Sequence, residues 1–267
     1  MNAPERVTIE TADHVAQVRM VRGDKHNALD GDMFLALADA ADEMREASGV
    51  RAVVLSGDGP SFCSGLDVAS FAAAGGLNGD DLLNRRDGDV ANLAQRVSYD
   101  WVRVPVPVIA AIHGNCLGGG LQIALGADLR IAAPDAKLSV MEAKWGLVPD
   151  MGITHALPRL VGIDVAKELT FTARTVSGSE ANELGLVTRV ADDPLAAATE
   201  LATEIAGRSP HAVRAAKRLY EETWDADAGS GFALETELQV GLIGSPNQIE
   251  AVRSGMTREL ADFADPS

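Results

Sequence analysis

The sequence predicts an α/β protein that ends in an all-helical region. Two almost continuous apolar runs, at residues 51–56 and 106–112, are typical of parallel strands covered on both faces. Each run is followed by a glycine-rich turn and a helix-like segment, which indicates a repeated ββα unit. Beyond residue 191 the hydrophobic periodicity is helical only. Strands mixed with helices first, and helices alone afterwards, define the predicted class.

The N-terminal part begins with two predicted strands, at residues 7–9 and 15–21, joined by a turn at 11–13. Asp30 is a typical N-cap residue, and the apolar positions after it recur every three or four residues up to about residue 48. This spacing predicts a long amphipathic helix, and Gly49 ends it.

The central part alternates between regular elements and glycine-rich turns. Residues 72–89 have the composition of a mobile surface loop. After it the sequence predicts a helix from about 90 to 104 and the buried strand 106–112. A short helix follows the glycine-rich segment 114–120, and further strands are predicted at 128–132, 137–141 and 186–190.

Three helices of the C-terminal part share one start signal, a capping residue followed by proline. The pairs are Asp193-Pro194, Ser209-Pro210 and Ser245-Pro246. We therefore predict a ββα core over residues 1–191 and a helical region over 192–267.

The charge balance and the hydropathy pattern of the sequence exclude several classes of binding partner. With 39 acidic and 23 basic residues the formal net charge is −16. A field of that sign repels phosphate backbones and anionic lipid, so neither nucleic acid nor a membrane is an expected partner. No apolar run is long enough to cross a bilayer, and the polar N-terminus lacks a signal-peptide core, so we expect a cytoplasmic protein.

Several familiar site motifs are absent from the sequence. There is no complete GxGxxG, phosphate loop, HExxH or GxSxG motif, which leaves a Rossmann oxidoreductase as a weak alternative. The five histidines and two cysteines have no metal-ligand spacing, so we expect no metal site.

Two glycine-containing segments, residues 62–67 (FCSGLD) and 113–122 (HGNCLGGGLQ), each follow a buried strand. Glycines at a helix start leave backbone N–H groups uncovered, and such groups stabilise a developing oxyanion. Close packing of helix on strand requires small residues too and is the alternative explanation. Together, the two turns could each supply one N–H to a single oxygen.

A third segment, residues 138–152, contains Glu142 and Asp150 in apolar surroundings. Desolvation there would raise the pKa of a carboxyl toward that of a proton carrier. Structural alternatives remain open at this point. Glu142 could form an ion pair with Lys144 or Arg159, and Asp150 could cap a helix that starts at Met151.

The order and spacing of these segments, followed by LTFTARTVSGSEANELGLVTRV, resemble the crotonase superfamily of enoyl-CoA hydratases and isomerases. The similarity extends over nearly the whole chain. It implies a crotonase-like spiral of ββα units around an acyl-CoA site. It also implies that the C-terminal helices form a homotrimer, which often pairs into a hexamer, and complete the site.

The resemblance also assigns roles to residues. The N–H groups of Leu66 and Gly119 would form the oxyanion hole for the thioester carbonyl. CoA would be part of the substrate and no separate cofactor would be needed. Residues implied or suggested as CoA-binding are Arg22, Lys25, Ser64, Gly65 and Asp67.

The catalytic carboxylates depart from the hydratase pattern. Hydratases of this family hold water between two glutamates, and one of those positions is Gln122 here, while the other is Glu142. An amide cannot carry the proton, so Gln122 could only orient a water or the thioester. Asp150 lies where the dienoyl-CoA isomerases carry an additional carboxylate, although they also have an acid at the position of Gln122.

We therefore expect an enoyl-CoA hydratase or isomerase with Glu142 as acid and base. The alternatives are a dienoyl-CoA-type isomerase that uses Glu142 with Asp150, and a weakly catalytic acyl-CoA-binding scaffold. RNA binding is disfavoured by the charge and by the lack of a basic, aromatic-interleaved patch.

Overall fold

The strands are short and mostly buried, as the apolar runs predict. The computed structural model describes residues 5–73, 82–85 and 88–266. Its strands are β1 (Val7–Ala12), β2 (Val15–Met20), β3 (Ala52–Gly57), β4 (Val108–Ile112), β5 (Asn115–Leu117), β6 (Leu129–Ala132), β7 (Lys137–Ser139), β8 (Val176–Ser177) and β9 (Arg189–Val190).

The helices include those that the sequence predicts, together with others at residues 68–73, 153–161, 163–172 and 178–183. They are α1 (Gly31–Glu46), α2 (Val68–Ala73), α3 (Leu93–Val102), α4 (Gly119–Leu125), α5 (Ile153–Val161), α6 (Ile163–Thr172), α7 (Gly178–Glu183), α8 (Pro194–Ala206), α9 (Pro210–Thr223), α10 (Ala228–Leu242) and α11 (Pro246–Thr257). Short 3₁₀ turns lie at Gly23–Lys25 and Glu142–Trp145.

The strands form two sheets that place the site. The larger has the order β1-β2-β3-β4-β6-β9 and is parallel except for the β1–β2 hairpin, while the smaller has the order β5-β7-β8. Because β3 and β4 are parallel neighbours, the glycine turns after them leave the same edge of the sheet. The α/β class and the ββα organisation are thus confirmed.

Helices cover both faces of the larger sheet. The main apolar cluster joins one face to α1, α3 and α4, and a second cluster packs α8 on the other face. The predicted caps are present, since Asp30, Asp193, Ser209 and Ser245 each accept from a backbone N–H of the first turn. Although α8 begins the predicted helical region, it packs on the larger sheet. The helices α9 to α11 follow it in the chain. The boundary at 191/192 stays a prediction.

Some local predictions differ from the structure. The strand predicted at 186–190 is reduced to β9, Arg189–Val190. The predicted loop at 72–89 begins inside α2. Within it Leu82 is buried, because its apolar side chain packs in the main apolar cluster. The rest of that loop lies largely outside the described residues. The strand predicted at 137–141 ends at Ser139, where the chain turns into the 3₁₀ turn that contains Glu142.

Candidate active site

The segment after β3 is held between two other pieces of backbone. On one side Leu66 pairs with Leu29, and on the other Cys63 pairs with Cys116 of β5, both in parallel bridges. The N–H of Cys63 donates to Asn115 over 3.0 Å and its carbonyl accepts from Leu117 over 3.0 Å. This pairing brings the two glycine turns side by side.

The pairing leaves two N–H groups open. Leu29 donates to the carbonyl of Gly65 over 2.8 Å and accepts from Asp67 over 2.9 Å, so Leu66 itself contributes no hydrogen bond to that bridge. In such a parallel bridge the amide of the middle residue points away from its partner. Gly119 is the first residue of α4, where an N–H has no intrahelical acceptor. Neither N–H donates to another residue in the described part of the chain.

Glycine is required where the turns touch. Gly65 has φ +86°, and a Cβ there would lie 2.7 Å from the carbonyl oxygen of Leu117 and 3.5 Å from the amide nitrogen of Gly119. Gly118 has φ +53° and ends its turn beside the carboxyl of Glu142. These contacts place the two open N–H groups and Glu142 around one space.

The carboxyl of Glu142 is fixed by an amide. Nε2 of Gln122 donates to Oε1 of Glu142 over 2.7 Å, and Oε1 of Gln122 accepts from the N–H of Met151 over 2.8 Å. The side chain of Gln122 is buried in α4. Oε2 of Glu142 is also buried, and it has no partner among the described residues. One carboxylate oxygen is therefore held and the other is open for chemistry.

Burial raises the pKa of the Glu142 carboxyl above its ordinary value of 4.5, and the charge of Asp150 raises it further, whereas the hydrogen bond from Gln122 lowers it. Burial also raises the pKa of the Asp150 carboxyl, although its side chain is exposed at the mouth of the site. Burial is thus the main cause that raises the pKa of both acids.

The structural alternatives for these two acids are not realised. Glu142 pairs with Gln122, while Lys144 lies over the ring of Trp145 and Arg159 pairs with Asp225. Asp150 does not cap a helix, because α5 begins at Ile153 after Gly152.

Two adjoining cavities meet at these residues. The first, of about 390 Å³, is lined by both glycine turns, by Glu142 and by residues that include Ser64 and Trp145. The second, of about 310 Å³, contains Glu142 and Asp150 in an otherwise apolar wall. The wall consists of Phe34, Leu66, Leu82, Leu83, Ala94, Gly119, Leu147, Val148 and Met151. Both cavities are mainly apolar, and a few polar groups converge where they meet, which suits a thioester carbonyl with its acyl tail.

The residues suggested for CoA binding lie in different environments. Ser64 and Gly65 line the first cavity, and Lys25 is exposed in the 3₁₀ turn after β2. Arg22 instead donates to Asp67 over 2.8 Å and to the carbonyl of Ala28 over 2.8 Å. Asp67 is thereby engaged in an internal ion pair.

Sequence reasoning missed part of the site. The N–H of Met151 that orients Gln122 is a backbone group and leaves no signal in the sequence. Phe34 belongs to the apolar stripe of α1, a pattern that predicts burial but not a place in a cavity. Among the described residues, no group of three or more metal-ligating side chains could hold a metal ion, and no helix is long and apolar enough to cross a membrane.

The chain is similar in sequence to known proteins over most of its length. The family model described as "Enoyl-CoA hydratase/isomerase" matches residues 10–263. YngF of Bacillus subtilis is 36% identical over 254 residues, which are 94% of this chain and 95% of YngF. The mitochondrial Delta(3,5)-Delta(2,4)-dienoyl-CoA isomerase of Rattus norvegicus is 32% identical over 270 residues, covering 96% of this chain and 80% of the isomerase.

A solved structure gives the same result. The crystal structure of an enoyl-CoA hydratase from Bacillus anthracis matches with a TM-score of 0.86 and 30% identity, covering 97% of this chain and 99% of that one. The fold is that of the crotonase superfamily. The chain belongs to the enoyl-CoA hydratase/isomerase family and is an enzyme of that type.

Proposed function

We propose that this enzyme moves a carbon–carbon double bond along the acyl chain of an enoyl-CoA. The observation that carries the proposal is that Glu142 and Asp150 line one apolar cavity, while Gln122 occupies the place of a second water-holding glutamate. Two acids along an acyl chain can exchange a proton between two carbons. A carboxylate paired with an amide is less suited to activate water.

The proposed reaction starts with the thioester oxygen bound by the N–H groups of Leu66 and Gly119. Oε2 of ionised Glu142 removes a proton from C2, and the electrons move into the thioester to give an enolate. The two N–H groups stabilise the oxygen charge. The far carbon of the conjugated system then takes a proton from Asp150, in the protonation state of the pair that has Glu142 ionised and Asp150 neutral. Proton transfer between the two carboxyls and solvent restores the starting state.

Hydration is a second candidate. It is supported by the open Oε2 of Glu142, which together with the remaining N–H of Gln122 could hold one water near C3 of a 2-enoyl-CoA. In that reaction Glu142 alone would carry the proton, and Asp150 would have no direct part.

A panel of 2-enoyl-, 3-enoyl- and 3,5-dienoyl-CoA substrates separates these reactions. Isomerisation conserves mass and changes absorbance, whereas hydration adds one water. We expect Glu142→Gln to lower turnover by about 10²–10⁴, the usual contribution of a general acid or base. Asp150→Asn should cause a similar loss of isomerisation and affect hydration much less.

The exposed Asp135, in the turn between β6 and β7, gives a matched control, and Asp135→Asn should keep wild-type rates. Unchanged isomerisation in Asp150→Asn would remove the two-acid mechanism. Binding of the thioesters without conversion of any of them by the wild-type enzyme would favour the scaffold alternative.

We also propose assembly into a trimer, or a hexamer made of two trimers. Large apolar side chains are exposed on α9 to α11, and patches of this kind mark interfaces. They are Tyr220, Trp224, Phe232, Val240, Ile243, Ile249, Val252 and Met256. Light scattering should give a trimeric or hexameric mass, and Phe232→Glu with Met256→Glu should lower it.

The same proposal includes a cytoplasmic enzyme to which CoA comes as part of the substrate and which needs no separate cofactor. Full activity after treatment with a chelator and gel filtration would support the last point. Restoration of a lost activity by an added metal or coenzyme would contradict it.

A further inference from the structure

The guanidinium of Arg22 lies between two carboxylates next to the oxyanion turn. It is 2.8 Å from Oδ2 of Asp67 and 3.4 Å from Oδ2 of Asp30, and its other amino group donates to the carbonyl of Ala28. The side chain is only 12% exposed. Its hydrogen-bonding groups are therefore directed into the protein.

The charges around Arg22 balance. Asp30 also binds Arg6 over 2.6 Å, so two arginines face two aspartates in one network. Hydrogen bonds from Ser70, together with the guanidinium of Arg22, lower the pKa of Asp67 to about 2. Asp67 is thus ionised at any working pH. A phosphate that approached Arg22 would have to displace a half-buried carboxylate that is already hydrogen-bonded, which is unfavourable.

Arg22 also links the two sides of the Leu29–Leu66 bridge. Ala28, whose carbonyl it binds, precedes Leu29, and Asp67, whose carboxylate it binds, follows Leu66. The direction of the Leu66 N–H depends on this bridge. The carbonyl of Gly65, before that N–H, accepts from Leu29, and the N–H of Asp67, after it, donates to Leu29. One side chain therefore fixes both strands of the element that presents an oxyanion donor.

We infer that Arg22 is a positioning residue for the Leu66 oxyanion donor and not a ligand of the CoA phosphates. The inference rests on the proposed function, in which that N–H binds the thioester oxygen. Lys25 differs in every respect that matters here. It is exposed, and it forms no ion pair within the described residues, so its charge is free for a phosphate.

The experiment compares a CoA thioester with the pantetheine thioester of the same acyl group, which lacks the nucleotide phosphates. A positioning role predicts that Arg22→Met lowers kcat by about 10- to 100-fold on both thioesters, the cost of a misplaced catalytic group. KM should change little on either. A loss confined to KM for the CoA thioester would overturn the inference.

Arg6→Met is the matched control, because Arg6 shares Asp30, is 14% exposed and does not contact Asp67. It should leave the kcat for both thioesters near the wild-type value. Asp67→Asn should reproduce the kcat loss of Arg22→Met. Lys25→Met should instead raise KM mainly for the CoA thioester.

Binding of free CoA, measured by calorimetry, gives a readout that does not depend on turnover. Arg22→Met should bind CoA with wild-type affinity, and a loss of tenfold or more would assign Arg22 to the phosphates. If Arg22→Met does not fold, Arg22→Lys applies the same test, with a smaller loss of kcat and unchanged CoA affinity expected. A wild-type enzyme that converts no thioester would refute the proposed function, while the CoA measurement would still decide whether Arg22 contacts phosphate.

Discussion

Nε2 of Gln122 lies 2.7 Å from Oε1 of Glu142. The amide cannot turn over, because its oxygen accepts from the N–H of Met151. Gln122 therefore presents a donor, not an acceptor, to the carboxyl that carries the proton. This arrangement orients one oxygen of Glu142 and leaves Oε2 as its reactive atom.

Gln122→Glu should increase hydration. The new carboxylate would keep an oxygen toward the N–H of Met151 and place its second oxygen beside Glu142, which gives the two-acid arrangement that holds a water. We expect hydration of a 2-enoyl-CoA to rise at least about tenfold, within the range of general acid–base catalysis. The product ratio by mass spectrometry measures it.

Gln122→Leu is the control for that substitution. It removes the donor to Glu142 and leaves the N–H of Met151 buried without an acceptor, at a cost of about 1–3 kcal/mol in the free energy of unfolding. It should gain no hydration. Equal hydration by the Glu and Leu variants would show that the second carboxylate is not the cause.

Asp150→Asn should shift the pH dependence of Glu142. Burial and the charge of Asp150 both raise the pKa of Glu142, so removal of that charge lowers it. Because the base must be ionised, the acid limb of kcat/KM should lie above the ordinary value of 4.5 in the wild type and move to lower pH in the variant. The pH midpoint of Glu142 in the variant can be measured from its residual activity or from an infrared titration of the carboxyl. A midpoint that stays in place would show that the two acids do not interact.

Gly65→Ala should disrupt the oxyanion turn. The added Cβ lies 2.7 Å from the Leu117 carbonyl oxygen at a φ of +86°. Strain at positive φ and steric overlap together predict a loss of about 2–5 kcal/mol in stability, with loss of turnover. Gly31→Ala is the control, since a Cβ at that helix start meets nothing within 4 Å. Denaturant unfolding should separate the two variants clearly.

Lys217→Met should destabilise the protein by about 1–3 kcal/mol, because the partly buried carboxylate of Asp128 loses its cationic partner and keeps the N–H of Val108. Nζ of Lys217 binds Asp128 over 2.7 Å and the carbonyl of Val106 over 3.0 Å, and thereby ties α9 to the sheet. Burial raises the pKa of Asp128 and Lys217 lowers it, so without Lys217 the folded-state pKa rises further. The loss should be greatest at neutral pH and diminish as acid protonates Asp128.

Arg208→Met is the control for that ion pair. Its partner Glu204 lies near the end of α8, both side chains are exposed, and exposed pairs contribute about 0–1 kcal/mol. Similar losses in both variants would show that burial of the Lys217 pair has no effect on its strength.

The sequence was sufficient where periodicity and capping decide the structure. The buried strands, α1 and the helices that start at Pro194, Pro210 and Pro246 all follow from local patterns. Strands of two or three residues, such as β5 and β8, have no detectable alternation and exist only because neighbouring backbone pairs with them.

The residues of the site could be predicted from the sequence, but the hydrogen bonds that connect them could not. Glu142, Asp150 and the two glycine turns can be located from residue types and spacing. The orientation of Gln122 depends on the N–H of Met151, and the engagement of Arg22 depends on Asp67. Both are contacts between segments far apart in sequence, which a local pattern cannot contain.

The bridge between Cys63 and Cys116 places two thiols where their reactivity depends on contact between the two glycine turns. Both thiols are fully buried, and burial raises the pKa of Cys63 to about 12 and that of Cys116 well above its ordinary value. An alkylating reagent therefore modifies only molecules in which the two turns have separated. Labelling rates would therefore measure how often the two glycine turns separate, and a thioester that binds only where the turns are joined would slow the labelling by mass action.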